Sequence, residues 1–262
     1  MTTGRKFRAQ EAAAFAESIV NEAGVIALRY FRRPIAVEAK ADASPVTEAD
    51  RQIEALIRRR IRERYPSHGL LGEEHGRDAG SSSLTWVIDP IDGTKSFISG
   101  MPTFGTLIAV LDGETPLLGI IDHPALRQRW VGRAGKPTRS NGAVCRTSAC
   151  TSLADAVLYA TTPDMFKGAA RKQFEDVSGR ARMRRFGGDC YAYALLASGF
   201  IDAVIEAQLK PYDYMALVPV IEGAGGVITD WRGRPLGLKG DGRVVAAATP
   251  ALHRELVERL NA

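Results

Sequence analysis

The densest chemistry in the chain lies in Trp86-Val87-Ile88-Asp89-Pro90-Ile91-Asp92-Gly93-Thr94-Lys95-Ser96. A buried strand over Leu84–Ile88 would deliver Asp89 at its end. Pro90 stiffens the chain, so that Asp92 can stand near Asp89 instead of on the opposite face. The Ile91 carbonyl between them can point at the same spot. Two carboxylates and a carbonyl are hard oxygen ligands of the kind that suits Mg²⁺. Gly93-Thr94-Lys95-Ser96 reads as the start of a helical turn, whose free N–H groups would face an anion, most simply a phosphate. Taken alone, the same residues also fit an Asp-Pro turn followed by an Asx-type cap.

Two further acidic stretches bracket this motif. Upstream, Gly72-Glu73-Glu74-His75-Gly76 follows the apolar pair Leu70-Leu71 and offers a third source of carboxylate. Downstream, Lys210-Pro211-Tyr212-Asp213-Tyr214 sets Asp213 just before a predicted helix, where it fits an N-cap. Glu222-Gly223-Ala224-Gly225-Gly226 lets that helix end abruptly and turn into a strand.

The elements that must position these residues follow from periodicity. Phe15, Ile19, Ile26 and Tyr30 predict a first helix over about Ala9–Arg33, stopped by Pro34. The stretch Ala36–Val46 reads as irregular. A second helix opens at Thr47 with Asp50 three residues on, a capping-box-like pair, and Ile53, Leu56, Ile57 and Ile61 line its buried face. From Leu84 the period changes to that of strands. Phe104–Leu111 and Pro116–Asp122 pair through Asp112-Gly113, a hairpin signal, and Leu126–Val131 continues the meander. The second half alternates: strands at Val157–Ala160, Asp202–Glu206, Gly226–Thr229 and Val244–Ala247, and helices near Met165–Val177, Asp189–Ser198, Tyr214–Glu222 and Leu252–Leu260. Helices, then antiparallel strands, then mixed elements predict an α+β layered fold and not a doubly wound parallel sheet. A Gly-, Ser-, Thr- and Pro-containing stretch over Gly135–Ser152 marks a soft subdomain boundary within one domain spanning 1–262.

Composition bounds the class. The 262 residues are 45% hydrophobic and 25% charged, ordinary for a globular chain. No run approaches the roughly 20 apolar residues of a membrane span, and Met1–Gln10 lacks the shape of a signal peptide. A cytoplasmic protein without a membrane partner is expected. Three cysteines without a CxxC pair and four scattered histidines argue against a disulfide framework, a zinc ribbon and a histidine-rich metal site. Any metal would sit on carboxylates. The net charge of +5 gathers in two arginine clusters, Arg58-Arg59-Arg60 with Arg62 and Arg64, and Arg180, Arg182, Arg184 and Arg185. The first reads as the solvated face of a helix. No aromatic-interleaved motif accompanies either cluster, so nucleic acid is not an expected partner.

Glu73-Glu74, Asp89-Pro90-Ile91-Asp92-Gly93-Thr94, Tyr212-Asp213 and the closing Gly225-Gly226 together resemble the inositol-monophosphatase superfamily, over about Ala9–Ala248. The segment Lys40-x-Asp42-x-Ser44-Pro45-Val46-Thr47-x-x-Asp50 fits the same pattern. The resemblance implies a layered αβαβα sandwich with mainly antiparallel sheets, and a homodimer. It implies a Mg²⁺-dependent, lithium-sensitive phosphomonoesterase with two or three ions per site, Mn²⁺ being an alternative ion. Carried over by position, Glu73, Asp89 and the Ile91 carbonyl would hold one ion, and Asp89, Asp92 and Asp213 a second. Glu73 would also reach a third. Thr94 and Asp50 would orient the attacking water, and the Gly93 and Thr94 amides would receive the phosphate. Glu73, Thr94, Asp50 and Asp92 are the catalytic set that follows. Such chemistry suits a slow ester hydrolysis, because metal ions polarise phosphoryl oxygens and stabilise the leaving oxygen.

The small-molecule ester is read from other residues. Phe186-Gly187-Gly188-Asp189-Cys190-Tyr191-Ala192-Tyr193 and Ile201–Glu206 supply Asp189 and Glu206. Together with Asp92-Gly93-Thr94-Lys95-Ser96-Phe97-Ile98-Ser99-Gly100, they resemble the histidinol-phosphate phosphatase branch. Asp189 and Glu206 would complement an ammonium and an imidazole. The expected substrate is therefore L-histidinol phosphate, an ester of histidine biosynthesis, with Gly93, Thr94, Asp189, Glu206, Asp213 and Arg185 as substrate contacts. Inositol 1-phosphate or a nucleotide bisphosphate is the rival ester, and a non-enzymatic RNA-binding protein the rival from another class. Asp189 also fits a helix cap, Tyr191 and Tyr193 fit packing, and Cys190 a small buried residue. Arg184 and Arg185 fit either a solvated strand end or a contact with substrate, in this site or a neighbouring subunit's. Tyr212 stands where many superfamily members carry Trp.

Overall fold

Helix α1 (Ala9–Tyr30) buries a stripe of mostly small residues, Ala12, Ala13, Ala16, Ile19, Val20, Ala23, Gly24 and Ala27. Small side chains let a helix lie close on a sheet. The larger Phe15, Ile26 and Tyr30, on which the periodicity leans, pack only partly buried at the edge of that contact. The helix stops at Tyr30, short of the predicted Arg33, because Arg32 takes φ +58°. The protein is seen here as a computed structural model, which describes residues 8–39 and 45–262. The predicted contributions of Lys40, Asp42 and Ser44 fall outside the described residues, as does the basic stretch up to Phe7.

The span predicted to be irregular carries a two-stranded antiparallel ribbon, β1 (Val37–Ala39) with β2 (Pro45–Thr47). Helix α2 (Glu48–Arg64) follows. Its N-terminus is the expected box: the Thr47 N–H and hydroxyl both donate to Asp50 Oδ2, at 2.8 and 2.5 Å. Ile53, Ile57 and Ile61 are fully buried. One expectation fails in this helix. Arg58 is not on a solvated face but buried, held by Glu54 one turn earlier.

An eight-stranded sheet comes next in the chain. Its strands are β3 (Gly69–Gly72), β4 (Gly76–Asp78), β5 (Leu84–Asp92), β6 (Gly105–Asp112), β7 (Thr115–His123), β8 (Gln128–Arg133), β9 (Lys136–Ser140) and β10 (Ala143–Val144), with the short helix α3 (Thr94–Ile98) between β5 and β6. The order is β10-β9-β8-β7-β6-β5-β3-β4. Every pair is antiparallel except β3 with β5.

The second sheet contains β11 (Val157–Ala160), β12 (Met183–Phe186), β13 (Ala203–Glu206), β14 (Val227–Thr229) and β15 (Val244–Ala247), in the order β12-β11-β13-β15-β14. It is mixed: β11 runs parallel to both β12 and β13, and the other pairs are antiparallel. Five helices accompany it: α4 (Gly168–Ser178), α5 (Cys190–Ala197), α6 (Pro211–Tyr214), α7 (Leu217–Gly223) and α8 (Pro250–Leu260). The predicted Tyr214–Glu222 helix is α7, starting three residues later, with the separate short helix α6 ending at Tyr214.

Alternation along the strands sorts the side chains into three cores. Trp86 and Ile88 of β5, with Ile108 and Val110 of β6, face α1 and α2. Val87, Leu107, Ala109 and Leu111 face the other way, onto α5 and α7 and onto Val204, Val244 and Ala246 of the second sheet. Leu158, Ala203, Ile205, Val245 and Ala247 point outward from that sheet to α4 and α8. The result is the expected α+β sandwich, layered αβαβα.

Candidate functional site

Asp89 and Asp92 come from the end of β5. Residues three apart in a regular strand face opposite sides. Here the register with β6 runs to Asp89↔Leu107, breaks, and resumes at Asp92↔Gly105. One extra residue on β5 is a bulge, and it returns Asp92 to the side of Asp89. The Thr106 hydroxyl fixes the bulge by donating to the Pro90 carbonyl at 2.8 Å. Pro90 has no N–H to leave unpaired there.

The neighbouring strand supplies Glu73. β3 lies parallel to β5 with Gly72 opposite Ile88, and the Glu73 N–H donates to the Ile88 carbonyl at 3.3 Å. Glu73 therefore leaves the sheet beside Asp89. Asp213 arrives from the middle layer. It is not the N-cap of its helix but the third residue of α6, where its carboxylate accepts the Lys210 N–H at 2.7 Å. Ligand-capable oxygens of Asp89, Asp92 and Asp213 lie within 4.8 Å of one another.

These charges are expensive. Burial pushes Asp89 well above the carboxylate range, and the charges of Glu73, Asp92 and Asp213 push further. Burial also raises Asp92, with the charges of Asp189 and Asp213 behind it. Asp213 is pushed up to about 7, again first by burial. Two ionised carboxylates within 4.8 Å repel by about 3 kcal/mol or more at an effective dielectric near 20. Asp89 Oδ1 is buried without a hydrogen-bond partner among the described residues. An orphaned carboxylate oxygen within a set of hard oxygen donors is an arrangement that a divalent cation fits. Asp89, Asp92 and Asp213 are the residues that could hold it.

A cavity of about 290 Å³ opens over this cluster. Glu73, Asp92, Gly93, Thr94, Lys95, Asp189, Cys190, Glu206 and Asp213 line it, with Thr161, Met165, Tyr193 and Leu209. A larger groove of about 660 Å³ runs between α1 and β8–β9, but it gathers no carboxylate cluster. Chemistry, not volume, selects the smaller cavity. Gly93 takes φ +77° and starts α3, so the amides of its first turn stand at the cavity wall. The Thr94 hydroxyl donates to the Ile91 carbonyl at 3.1 Å. Asp50 does not line the cavity. Its Oδ2 is used by Thr47, its Oδ1 is buried and unpaired, and burial raises it to about 6 with the charges of Glu74 and Glu73 adding.

Asp189 and Glu206 face the same cavity. Asp189 occupies the N-cap position of α5 at φ +45°, but its side chain makes no cap hydrogen bond and turns to the cavity instead. It accepts a short hydrogen bond from Ser96, 93 positions away. Burial raises Asp189, while Ser96 and the Lys95 charge pull it down. Glu206, at the end of β13, accepts the Thr161 N–H at 2.9 Å, the Thr161 hydroxyl at 2.5 Å and the Tyr193 hydroxyl at 2.9 Å. Burial nevertheless raises it to about 7. Tyr193 thus does more than pack, whereas Tyr191 reaches Gln128. The Cys190 N–H donates to Asp92 Oδ2 at 2.7 Å, and burial drives its thiol far up, which makes it no nucleophile.

Arg185 is not brought to this cavity. It sits on β12, an edge strand exposed along its whole length, with its guanidinium 6.0 Å from the Tyr159 ring centre. Arg184 pairs with Glu175 outside. Ser96 and Thr161 were not legible as partners of Asp189 and Glu206, because those contacts span 93 and 45 positions, and Tyr193 was not because its contact depends on how α5 packs on the following β13.

The model of the inositol monophosphatase family matches residues 8–262. The chloroplastic bifunctional phosphatase IMPL2 of Arabidopsis thaliana is 45% identical over 257 residues, 95% of this chain and 74% of that one. A histidinol-phosphatase of Chlorobaculum parvum is 36% identical, covering 91% of this chain and 92% of its own. The solved structure of an inositol monophosphatase from Zymomonas mobilis superposes with a TM-score of 0.90 at 38% identity, covering 98% of this chain and 100% of that one. The chain belongs to the inositol monophosphatase family, a family of metal-dependent phosphatases.

Proposed function

We propose that this inositol-monophosphatase-family enzyme hydrolyses L-histidinol phosphate to L-histidinol and phosphate, with Mg²⁺ as its metal. One observation carries the substrate: the cavity holds two carboxylates, Asp189 and Glu206, beyond Glu73 and the three aspartates that cluster as a metal set. A neutral polyol offers such carboxylates hydroxyl donors but no positive charge. Histidinol phosphate presents an ammonium next to the ester carbon, and an imidazole beyond it. A cation between Asp189 and Glu206 lowers the cost of holding both ionised. The likeness to a histidinol-phosphatase at 36% identity supports the same reading.

In this proposal Asp89, Asp92 and Asp213 hold one ion, and Glu73, Asp89 and the Ile91 carbonyl hold another, with Mn²⁺ able to substitute. When bound, the metal supplies Lewis-acid polarisation of the phosphoryl oxygens and acidifies water. The remaining work belongs to the chain. Amides of Gly93 and Thr94 receive the phosphate. Thr94, through its hydroxyl, orients the attacking water, and Asp50, which does not line the cavity, supports the site from behind through its bonds to Thr47. The departing alkoxide takes its proton from a water near Asp92, and the proton released by the attacking water makes good that loss. Homodimeric assembly is part of the same proposal, and light scattering tests it.

Phosphate release with Mg²⁺ is to be measured on L-histidinol phosphate and inositol 1-phosphate side by side. A kcat/KM preference of about a hundredfold for histidinol phosphate, about 2.7 kcal/mol in the transition state, is expected. Asp189→Ala should raise KM for histidinol phosphate far more than for inositol phosphate. No preference, or equal effects of that substitution on both esters, overturns the cation-pocket reading.

A further inference from the structure

Helix α2 carries two charges within its buried stripe. Glu54 and Arg58 each follow a core isoleucine by one position, and their side chains are 0% and 5% exposed. A buried ion pair is costly unless every polar atom is used. Here the atoms are used on one target. Arg58 Nε donates to Glu54 Oε1 at 2.6 Å, and its terminal nitrogens reach Asp78 Oδ2 at 3.1 Å and the Gly76 carbonyl. Glu54 Oε2 accepts the Glu74 N–H at 2.6 Å, and Oε1 accepts the His75 N–H at 3.1 Å. Two side chains of one helix thus grip residues 74 and 75 of the turn between β3 and β4, which begins at Glu73, and residues 76 and 78 of β4 itself. The approach leaves no room: a Cβ on Gly72 would stand 2.0 Å from Glu54 Oε1.

Stability alone does not account for the pair. Ile53, Ile57 and Ile61 already anchor α2, and an apolar pair of similar volume is often as stable as buried charges. What apolar residues cannot do is accept two backbone N–H groups and so fix the turn in one orientation. Asp50 stands one helical turn before Glu54 on the same helix. Helix α2 therefore places Asp50 directly, and the Glu73 segment through this grip.

We propose that Glu54 and Arg58 are positioning residues: they dock the 73–78 segment on α2 and so set where the Glu73 carboxylate stands beside Asp89. The inference rests on the reading of Glu73 as a metal ligand. Second partners of metal ligands typically change affinity by about 10–100-fold.

The test reads Mn²⁺ affinity of the full chain by electron paramagnetic resonance of the free ion, with the Tm of each metal-free variant alongside. Glu54→Gln keeps the volume but turns one acceptor into a donor. It should weaken Mn²⁺ binding by about 10–100-fold, with kcat largely recovered at saturating metal. The double variant Glu54→Leu/Arg58→Met removes both charges and should keep a Tm close to that of the wild type, yet stay weak for Mn²⁺. Wild-type affinity in either variant overturns the proposal, and recovery in the double variant assigns the pair to stability. Glu73→Gln is the control for the underlying reading. Weakening there, with no effect of Glu54→Gln, sinks the grip alone. Wild-type affinity in Glu73→Gln sinks the ligand role of Glu73, and this inference with it.

Discussion

Glu206 allows a quantitative test of how the cavity stores charge. Three donors hold its carboxylate, two from Thr161 and one from Tyr193. Each favours the ionised form, yet burial outweighs them and raises the group from 4.5 to about 7. The raised value fixes the sign of the linkage. Between pH 4.5 and 7 the folded metal-free protein keeps a proton that the unfolded chain has lost. Stability from this group is complete below about pH 4.5 and is lost as pH rises through about 7. The rise from 4.5 to about 7 corresponds to about 3 kcal/mol. Glu206→Gln removes the titration. In chelator, its stability should therefore gain about 3 kcal/mol on the wild type as pH goes from 4.5 to 8, or roughly 6–12 °C in Tm for a chain of this size. The aspartates titrate in both proteins and largely cancel. Asp213 feels the Glu206 charge, and its relief in the variant acts in the same direction. Thermal unfolding of both proteins across pH, without metal, is the assay. Parallel curves would refute the claim that burial, against three donors, controls this carboxylate.

Two substitutions probe other levels of the structure. Asp92→Asn should abolish phosphate release while leaving Tm near that of the wild type, because Asn keeps the volume and one acceptor for the Cys190 N–H; wild-type rates would remove Asp92 from the reaction. Gly119→Ala on β7 should cost about 3 kcal/mol in chemical denaturation, since its Cβ would stand 1.9 Å from the Ala216 carbonyl. That neighbour is backbone, so a neutral effect would mean that α7 can slide on the sheet.

What the sequence could convey depended on range. The buried strand read at Leu84–Ile88, the Thr47–Asp50 box and the Asp112-Gly113 hairpin are local, and all three stand in the structure, the strand running on to Asp92. The return of Asp92 to the side of Asp89 was legible because Pro90 has only a few places in a strand. The ribbon at Val37 and Pro45 was not, because three-residue strands carry too short a pattern. Arg58 was misjudged because a charge reads as surface until its partner is known, and Glu54 one turn away was the signal available. Asp189 was ambiguous for a different reason: its partner Ser96 lies on another layer. Arg185 depended on which way an edge strand faces, a tertiary property.

The same device recurs around the cavity and explains why it needs a cation. Backbone N–H groups hold the acids: Cys190 holds Asp92, Lys210 holds Asp213, Thr161 holds Glu206 and Thr47 holds Asp50. An amide donor fixes a carboxylate without bringing a full positive charge, so it orients the oxygen and leaves most of the repulsion in place. An arginine in any of these roles would have neutralised the cluster and competed with a metal for it. Among the described residues lining the cavity, Lys95 is the one cationic side chain, and its charge acts on Asp189. The ion pairs of α2 stand behind the site, gripping backbone, and not within it. The fold thus spends its cations on positioning and its amides on orientation. The aspartates are left as an ordered negative cluster that a divalent ion relieves.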